Sequence, residues 1–416
     1  MQYQGRIHLM QKELMDRYFE ELTRSAEGEG KPAMYMLVGS NLAELAWAMD
    51  MLPVYPEMNA LQLAIKKVSL PYLLKAEELG YSMDNCGYVK ADIGLWFSGR
   101  ETPFAKIPPP ALLLCNYSGC NTFLNWFEHL REYSGAEIFI LDIPFPRIDG
   151  ERRPHDRAYV LEQLKELVRL CEKVTGRRLD RDRLGMHLAI AQEMGELWRR
   201  LLALERNRPA PFDAHFDALT LTAPFNSLRG REDSLLYARE VLREMEGRAA
   251  AGRGPLPQER FRYVADAPPP YPYLKAFRDL FSRWGAVAVA STYANFSRAW
   301  EMGFEHDPGR PLESLAAFLT FDHQANAAHL KRRRELIART ACERAADAVV
   351  IHSVKSCRLF SAGQADMREY LVKEKGLPTL IVESDLEDPR YFSEAQIRNR
   401  VDAFFEALEH RKILRG

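Results

Sequence analysis

The stretch "ALLLCNYSGCNTFLNWFEHLREYSGAEIFILDIP" (111–144) carries one apolar run, then apolar residues at helical spacing, then a second apolar run. The run at 111–116 is short, apolar through Cys115 and preceded by three prolines, which reads as a strand buried on both faces. "NTFLNWFEHLREYS" reads as a helix, and 136–144 as a strand again. A strand–helix–strand crossover makes its two strands parallel, and a parallel sheet needs both faces covered. The segment therefore predicts a small doubly wound lobe with helices on both sides.

Outward from it, "AMYMLVGS" (33–40) predicts another short buried strand, leading into the helix "NLAELAWAMDM". From about 155 to 250 the periodicity is helical throughout, in "YVLEQLKELVRLCEKVTG", "LGMHLAIAQEMGELWRRLLALE" and "EDSLLYAREVLREMEG". A Gly/Pro-rich break, "GRAAAGRGPLPQER", precedes a second α/β region. There "FRYVADAP", "AVAVAST", "AADAVVIHSV" and "PTLIVESD" predict strands, and "YLKAFRDLFSRW", "AAHLKRRRELIARTACERA" and "IRNRVDAFFEALEHRK" predict helices. The expected organisation is an N-terminal helical arm (1–30), a first α/β lobe (31–155), a helical connector (156–255) and a second α/β lobe (256–416). Both lobes are expected to be Rossmann-like, with parallel sheets.

With 416 residues, the chain is too long for one ordinary core, which suits several units sharing an interface. Hydrophobic content of 47%, charged content of 28% and a net charge of −1 describe a packed protein without the basic excess of a nucleic-acid binder. The N-terminal stretch is amphipathic, with no uninterrupted apolar core of the signal-peptide kind. No apolar run approaches the roughly 20 residues that cross a bilayer. A cytoplasmic protein with no membrane contact is expected. Six cysteines without a C-x-x-C pair suggest thiols or metal ligands rather than disulfides.

The cysteines differ in position. Cys115 closes a strand, whereas Cys120 lies at the mouth of the following helix, where partial positive charge favours a thiolate. Cys357, in "IHSVKSCRLFS", repeats that placement after a strand of the second lobe. Ligands of open α/β sheets gather at the carboxyl ends of strands, so Cys120 and Cys357 stand where two lobes could share a cofactor. Cys86, in "YSMDNCGYVKADIG", precedes a glycine that permits close backbone approach. Cys171 and Cys342 fall inside helices at positions that read as core. Spacing alone leaves open whether any of them binds metal.

Taken together, "MLPVYPEMNALQLAIKKVSLPYLLKAEELGYSMDNCGYVKADIGLWFSG", "LLLCNYSGCNTFLNWFEHLREYSGAEIFILDIPF", "PLPQERFRYVADAPP", "IHSVKSCRLFS" and "LPTLIVESDLEDPRYFSEAQIRNRVDAFFEAL" resemble the 2-hydroxyacyl-CoA dehydratase superfamily. Within it the chain looks most like the core subunits of the ATP-dependent benzoyl-CoA reductase branch. The resemblance implies a 4Fe–4S cluster between the lobes, held by Cys86, Cys120 and Cys357. Asn121 stands where the family usually has an acid after the middle cysteine, and Glu128 keeps its spacing. Cys115 does not fit the pattern. The implied activity is ATP-driven two-electron dearomatisation of benzoyl-CoA to cyclohexadiene-carboxyl-CoA, in anaerobic aromatic degradation. The alternatives are a 2-hydroxyacyl-CoA dehydratase subunit, or a subunit that only relays electrons. No Walker A and no G-x-G-x-x-G pattern occurs in the chain. The resemblance assigns ATP to separate iron–sulfur activator subunits, fed by reduced ferredoxin, and pairs this chain with a homologous cluster-bearing core subunit.

The resemblance also implies a hydroxyl and a carboxylate beside the open iron, at Ser40 and Glu57; a helix cap and a loop charge are their plain structural readings. His352 and Lys355, just before Cys357, are expected as proton donors or as partners of a cluster sulfur. "KRRR" (331–334) could meet CoA phosphates, and Tyr271, Tyr273 and Tyr293 could wall an aryl pocket.

Overall fold

Short apolar strands alternating with amphipathic helices build two four-stranded sheets, every neighbouring pair parallel. The computed structural model describes residues 5–39, 41–117, 120–145, 154–294, 297–326 and 330–415. The first sheet holds β1 (Ala33–Met36), β2 (Leu52–Val54), β3 (Pro110–Tyr117) and β4 (Glu137–Asp142), in the order β2-β1-β3-β4. The second holds β5 (Phe261–Asp266), β6 (Ala286–Ser291), β7 (Ala348–Val354) and β8 (Thr379–Ser384), in the order β6-β5-β7-β8. The two sheets thus share one topology, which confirms the α/β expectation.

The strand β2 was not among those expected, and it contains Pro53. The proline is tolerated at the sheet edge, where no second neighbour needs its missing N–H. The helix Pro311–Asn326 was also not anticipated; its Leu315, Ala316, Phe318 and Leu319 are buried.

In the second lobe the strand pleat sorts side chains onto two faces. Phe261, Tyr263 and Ala265 of β5 join Ala348 and Val350 of β7 on one side. Val264, Val349 and Ile351 pack on the other. Both faces are covered, which explains the near-continuous apolar runs.

Helices Pro154–Thr175, Arg181–Ala203, Phe216–Ser227 and Glu232–Ala250 bury Leu164, Leu188, Trp198 and Val241 in the same core as Met34, Leu113 and Trp126 of the first lobe. The arm Arg6–Ala26 joins that core through Ile7, Leu14, Tyr18 and Leu22, and the Tyr18 hydroxyl donates to the Pro53 carbonyl at 3.0 Å. Arg229, 2% exposed, fastens the layer to the turn after β1. Its guanidinium reaches both Glu44 carboxylate oxygens, at 2.5 and 2.8 Å, and the Asn41 carbonyl at 2.5 Å. Trp300 and Phe318 flank it at 5.4 and 5.5 Å. Among the described residues, no helix is long and apolar enough to cross a membrane.

Candidate metal centre

In each sheet the strand order reverses between the first and third strands of the lobe, β1/β3 and β5/β7, and that is the crevice where open α/β sheets take ligands. Cys120 lies three residues past the end of β3, and Cys357 three past the end of β7. Each caps the helix that follows, Asn121–Ser134 and Arg358–Ser361, with nearly the same backbone: φ −103°, ψ 102° at Cys120 and φ −111°, ψ 100° at Cys357. Cys86 caps a third helix, Gly87–Trp96. Equivalent turns of two equivalent lobes therefore present two thiols, and a helix of the first lobe presents the third.

A chain of backbone contacts brings the lobes together at this point. The Gly87 N–H donates to Ser356 Oγ at 3.2 Å, and the Ser356 N–H donates to Asp385 Oδ2 at 2.8 Å. The residue after Cys86 is thereby tied to the residue before Cys357. Nearby, Ser69 Oγ donates to the Glu387 carbonyl at 3.0 Å. Lys90, 1% exposed, lies 3.0 Å from Glu77 and 3.9 Å from Asp388, and Arg390 bonds to both acids. At Gly87 any Cβ would overlap the Glu387 side chain. Gly87→Ala is therefore expected to cost about 1–3 kcal/mol by forcing the lobes apart, and Gly87→Ala with Glu387→Gly should recover part of it, as read by thermal unfolding.

The three sulfurs feel one another. Burial raises the Cys86 thiol well above its ordinary value, and Cys357 and then Cys120 add to the cost of charging it, against the pull of the Val89 and Tyr88 N–H groups. Burial likewise raises Cys357; the Phe360 and Leu359 N–H groups pull it down, and Cys120 pushes it up. Burial makes charged Cys86 and Cys357 thiolates costly unless a cation is bound, and three thiols at helix N-termini are a donor set whose chemistry fits a thiolate-ligated iron–sulfur cluster. Among the described residues, no three His, Cys, Asp or Glu side chains already stand at metal-binding geometry.

The other expected residues divide. Ser40 lies outside the described residues. Glu57 is partly solvent-exposed yet enclosed by protein; burial pushes its carboxyl up to about 7, although the Val38 N–H donates to it at 2.6 Å. A raised carboxyl lends stability that is present below the unfolded value of roughly 4.3 and is lost as pH rises through the folded value. Wild type should accordingly lose thermal stability relative to Glu57→Gln between about pH 5 and pH 8; parallel curves would contradict that protonation state.

His352 corrects an expectation. It is 2% exposed, with Nδ1 bonded to the Pro268 carbonyl and Nε2 to Ser384 Oγ at 2.6 Å, so both nitrogens serve the packing of β7 and neither is left for a substrate proton. Lys355 points outward, its ammonium 4.6 Å from the Tyr391 ring. In "KRRR", Arg333 is taken by Asp266 at 2.7 Å and Arg334 lies 4.3 Å over Tyr370. Cys115 and Cys171 are buried as expected, but Cys342 is exposed near the end of its helix. Tyr273 stacks on Phe392 at 4.2 Å, whereas Tyr271 and Tyr293 share hydrogen bonds with Tyr88.

Tyr88, Ser356, Asp385 and Glu387 were missed. Tyr88 sits two residues past Cys86 in a helix's first turn, and "SDLEDP" is an acid-rich exit from β8; both were visible as positions, but not as contacts.

The chain matches the family model described as 2-hydroxyglutaryl-CoA dehydratase, D-component, over residues 42–408. It is 36% identical to a benzoyl-CoA reductase subunit of Thauera aromatica over 411 residues, which is 97% of this chain and 94% of that one. It is 27% identical to the (R)-2-hydroxyisocaproyl-CoA dehydratase alpha subunit of Clostridioides difficile, covering 89% of each chain. With the (R)-phenyllactyl-CoA dehydratase alpha subunit of Clostridium sporogenes it shares 26% identity, over 89% of this chain and 88% of that one. The matched span runs from the turn after β1 to the C-terminal helix and so takes in both lobes and the junction between them: the chain belongs to the 2-hydroxyglutaryl-CoA dehydratase D-component family.

Proposed function

We propose that this chain is a cluster-bearing core subunit of a benzoyl-CoA reductase type enzyme, reducing the ring of benzoyl-CoA by two electrons to a cyclohexadiene-carboxyl-CoA. The reading rests on Cys86, Cys120 and Cys357, each at a helix N-terminus, in a chain 36% identical to a benzoyl-CoA reductase subunit. A 4Fe–4S cluster bound there supplies single electrons at low potential. The chain's own residues do the rest. Cys86, Cys120 and Cys357 hold the cluster. The Gly87–Ser356–Asp385 contacts close the junction and keep water out. Glu57, raised to about 7, keeps a proton available beside β1 at neutral pH. ATP is hydrolysed on separate activator subunits supplied by reduced ferredoxin, a homologous second core subunit completes the complex, and the site of action is the cytoplasm.

A second reading, elimination of water from a 2-hydroxyacyl-CoA, is favoured by the description of the matching family and by the dehydratase relatives. The test is to incubate the anaerobically purified complex with activator, ATP and reductant, and to offer benzoyl-CoA and an (R)-2-hydroxyacyl-CoA separately. A dienoyl-CoA product from the first supports the reductase. An enoyl-CoA from the second alone transfers the assignment to the dehydratase, and turnover of neither by an iron-replete complex discards both.

A further inference from the structure

Three tyrosine hydroxyls meet where the lobes touch. Tyr88 comes from the helix that Cys86 caps, Tyr271 from the turn after β5 and Tyr293 from the turn after β6. The Tyr88 and Tyr271 hydroxyls lie 3.1 Å apart, Tyr271 donates to Tyr293 at 2.8 Å, and the hydroxyls of Tyr88 and Tyr293 are 2.8 Å apart, where either can donate. Three phenols own three protons. When Tyr88 gives its one proton to Tyr293, along the shorter of its two contacts, Tyr293 accepts from both neighbours and keeps its own proton for something outside the trio.

Several observations place that proton at the cleft. Tyr88 and Tyr271 are 6% and 1% exposed, while Tyr293 retains partial exposure. The Tyr293 hydroxyl lies within electrostatic reach of Glu57 on the first lobe and Cys357 on the second. Its ring packs edge-on against Phe360, three residues past Cys357, at 6.0 Å between centroids. Its turn is pinned as well, since Ser291 Oγ accepts from the Tyr293 and Ala294 N–H groups and meets His215 Nδ1 at 3.0 Å. Burial raises all three phenols, but the two donors on its oxygen hold Tyr293 to about 12, with Tyr88 and Tyr271 well above the ordinary range.

We propose that the Tyr293 hydroxyl, backed by Tyr88 and Tyr271, donates a hydrogen bond to the thioester carbonyl oxygen of the acyl-CoA substrate and stabilises the negative charge that gathers there as electrons arrive. The inference rests on the CoA-thioester reading above. Adding an electron to an acyl thioester places charge on its carbonyl oxygen in either activity. A fixed donor in a poorly solvated site, itself polarised by two further donors, is the device that stabilises such charge with little reorganisation. No bond to hydrogen breaks at Tyr293; ring or chain protons come from elsewhere.

The test uses the unreduced, anaerobic complex, in which no turnover occurs, and benzoyl-CoA labelled with 13C at the carbonyl. Infrared difference spectra should show the bound carbonyl stretch lowered in wild type, returned toward its solution frequency in Tyr293→Phe and partly returned in Tyr271→Phe. Under turnover, Tyr293→Phe should reduce kcat by about 10²–10³-fold with little change in benzoyl-CoA dissociation constant. Bound benzoyl-CoA with the same carbonyl frequency in wild type and Tyr293→Phe would overturn the inference and leave the proposed function standing. If iron-replete wild type binds neither benzoyl-CoA nor a 2-hydroxyacyl-CoA, the functional reading fails and takes the inference with it. Thermal unfolding of each variant separates loss of the ring as lobe packing from loss of the donor.

Discussion

Replacing Cys120 with serine should strip the chain of iron, and Cys86→Ser and Cys357→Ser should do the same, while Cys115→Ser keeps the full complement. About four irons per wild-type chain are expected after anaerobic reconstitution with iron and sulfide. The contrast follows from position. Cys86, Cys120 and Cys357 cap three helices, and burial raises the cost of charging Cys86 and Cys357, which a bound iron–sulfur cation would relieve. Cys115 faces the core between β3 and its helix, fully buried, with its thiol pushed up to about 12 by burial and only secondarily by Cys120 and Glu128. A serine hydroxyl at neutral pH is a poor ligand, so loss of one thiolate from three should leave the cluster unbound rather than weakened. Retention of iron in any of the three variants, with unfolding curves like wild type, would break the assignment.

Arg229→Ala should be the most destabilising single change away from the cysteines, by about 3–5 kcal/mol, because it leaves Glu44 as a buried charge without its partner. The Glu44 carboxyl is 1% exposed; burial alone would raise it, and the Arg229 guanidinium more than offsets that and holds it below the usual range. The pH dependence reverses with the partner. In wild type the folded value is depressed, so the stabilisation is present above the unfolded value of roughly 4.3 and is lost as pH falls through the folded one. In Arg229→Ala the folded value is raised, so the penalty grows as pH climbs past the unfolded value. The gap between the two melting temperatures should therefore narrow toward acid pH. Pairing Arg229→Met with Glu44→Leu should recover much of the loss, since neither charge is then buried. A gap that does not change with pH would show that packing against Trp300 and Phe318, rather than the ion pair, carries the effect. The same substitution should loosen the backbone at Asn41, whose carbonyl Arg229 also holds.

Much of the frame was legible from residue order. The run at 111–144 gave β3, the helix Asn121–Ser134 and β4 close to their observed bounds, because a two-faced buried strand and a one-faced helix differ in periodicity. Strands of the second lobe were readable for the same reason. Cys120 and Cys357 were readable as a pair because both follow a strand at the mouth of a helix, and Cys86 entered through the family resemblance. What failed was what depends on partners. β2 was not expected, and its Pro53 is tolerated only because β2 lies at the sheet's edge. His352 looked like a proton donor until Pro268 and Ser384 were found on its two nitrogens.

By itself, then, the sequence determined most of the strands and helices, since these follow from local periodicity and helix caps, while the chemistry expected of the site came through the family resemblance. The meeting of Gly87 with Ser356, of Arg229 with Glu44, and of Tyr88 with Tyr271 and Tyr293 was decided only in the tertiary structure. Each joins residues more than a hundred positions apart, by hydrogen bonds whose strength depends on distance and burial, quantities that exist only once the lobes have closed.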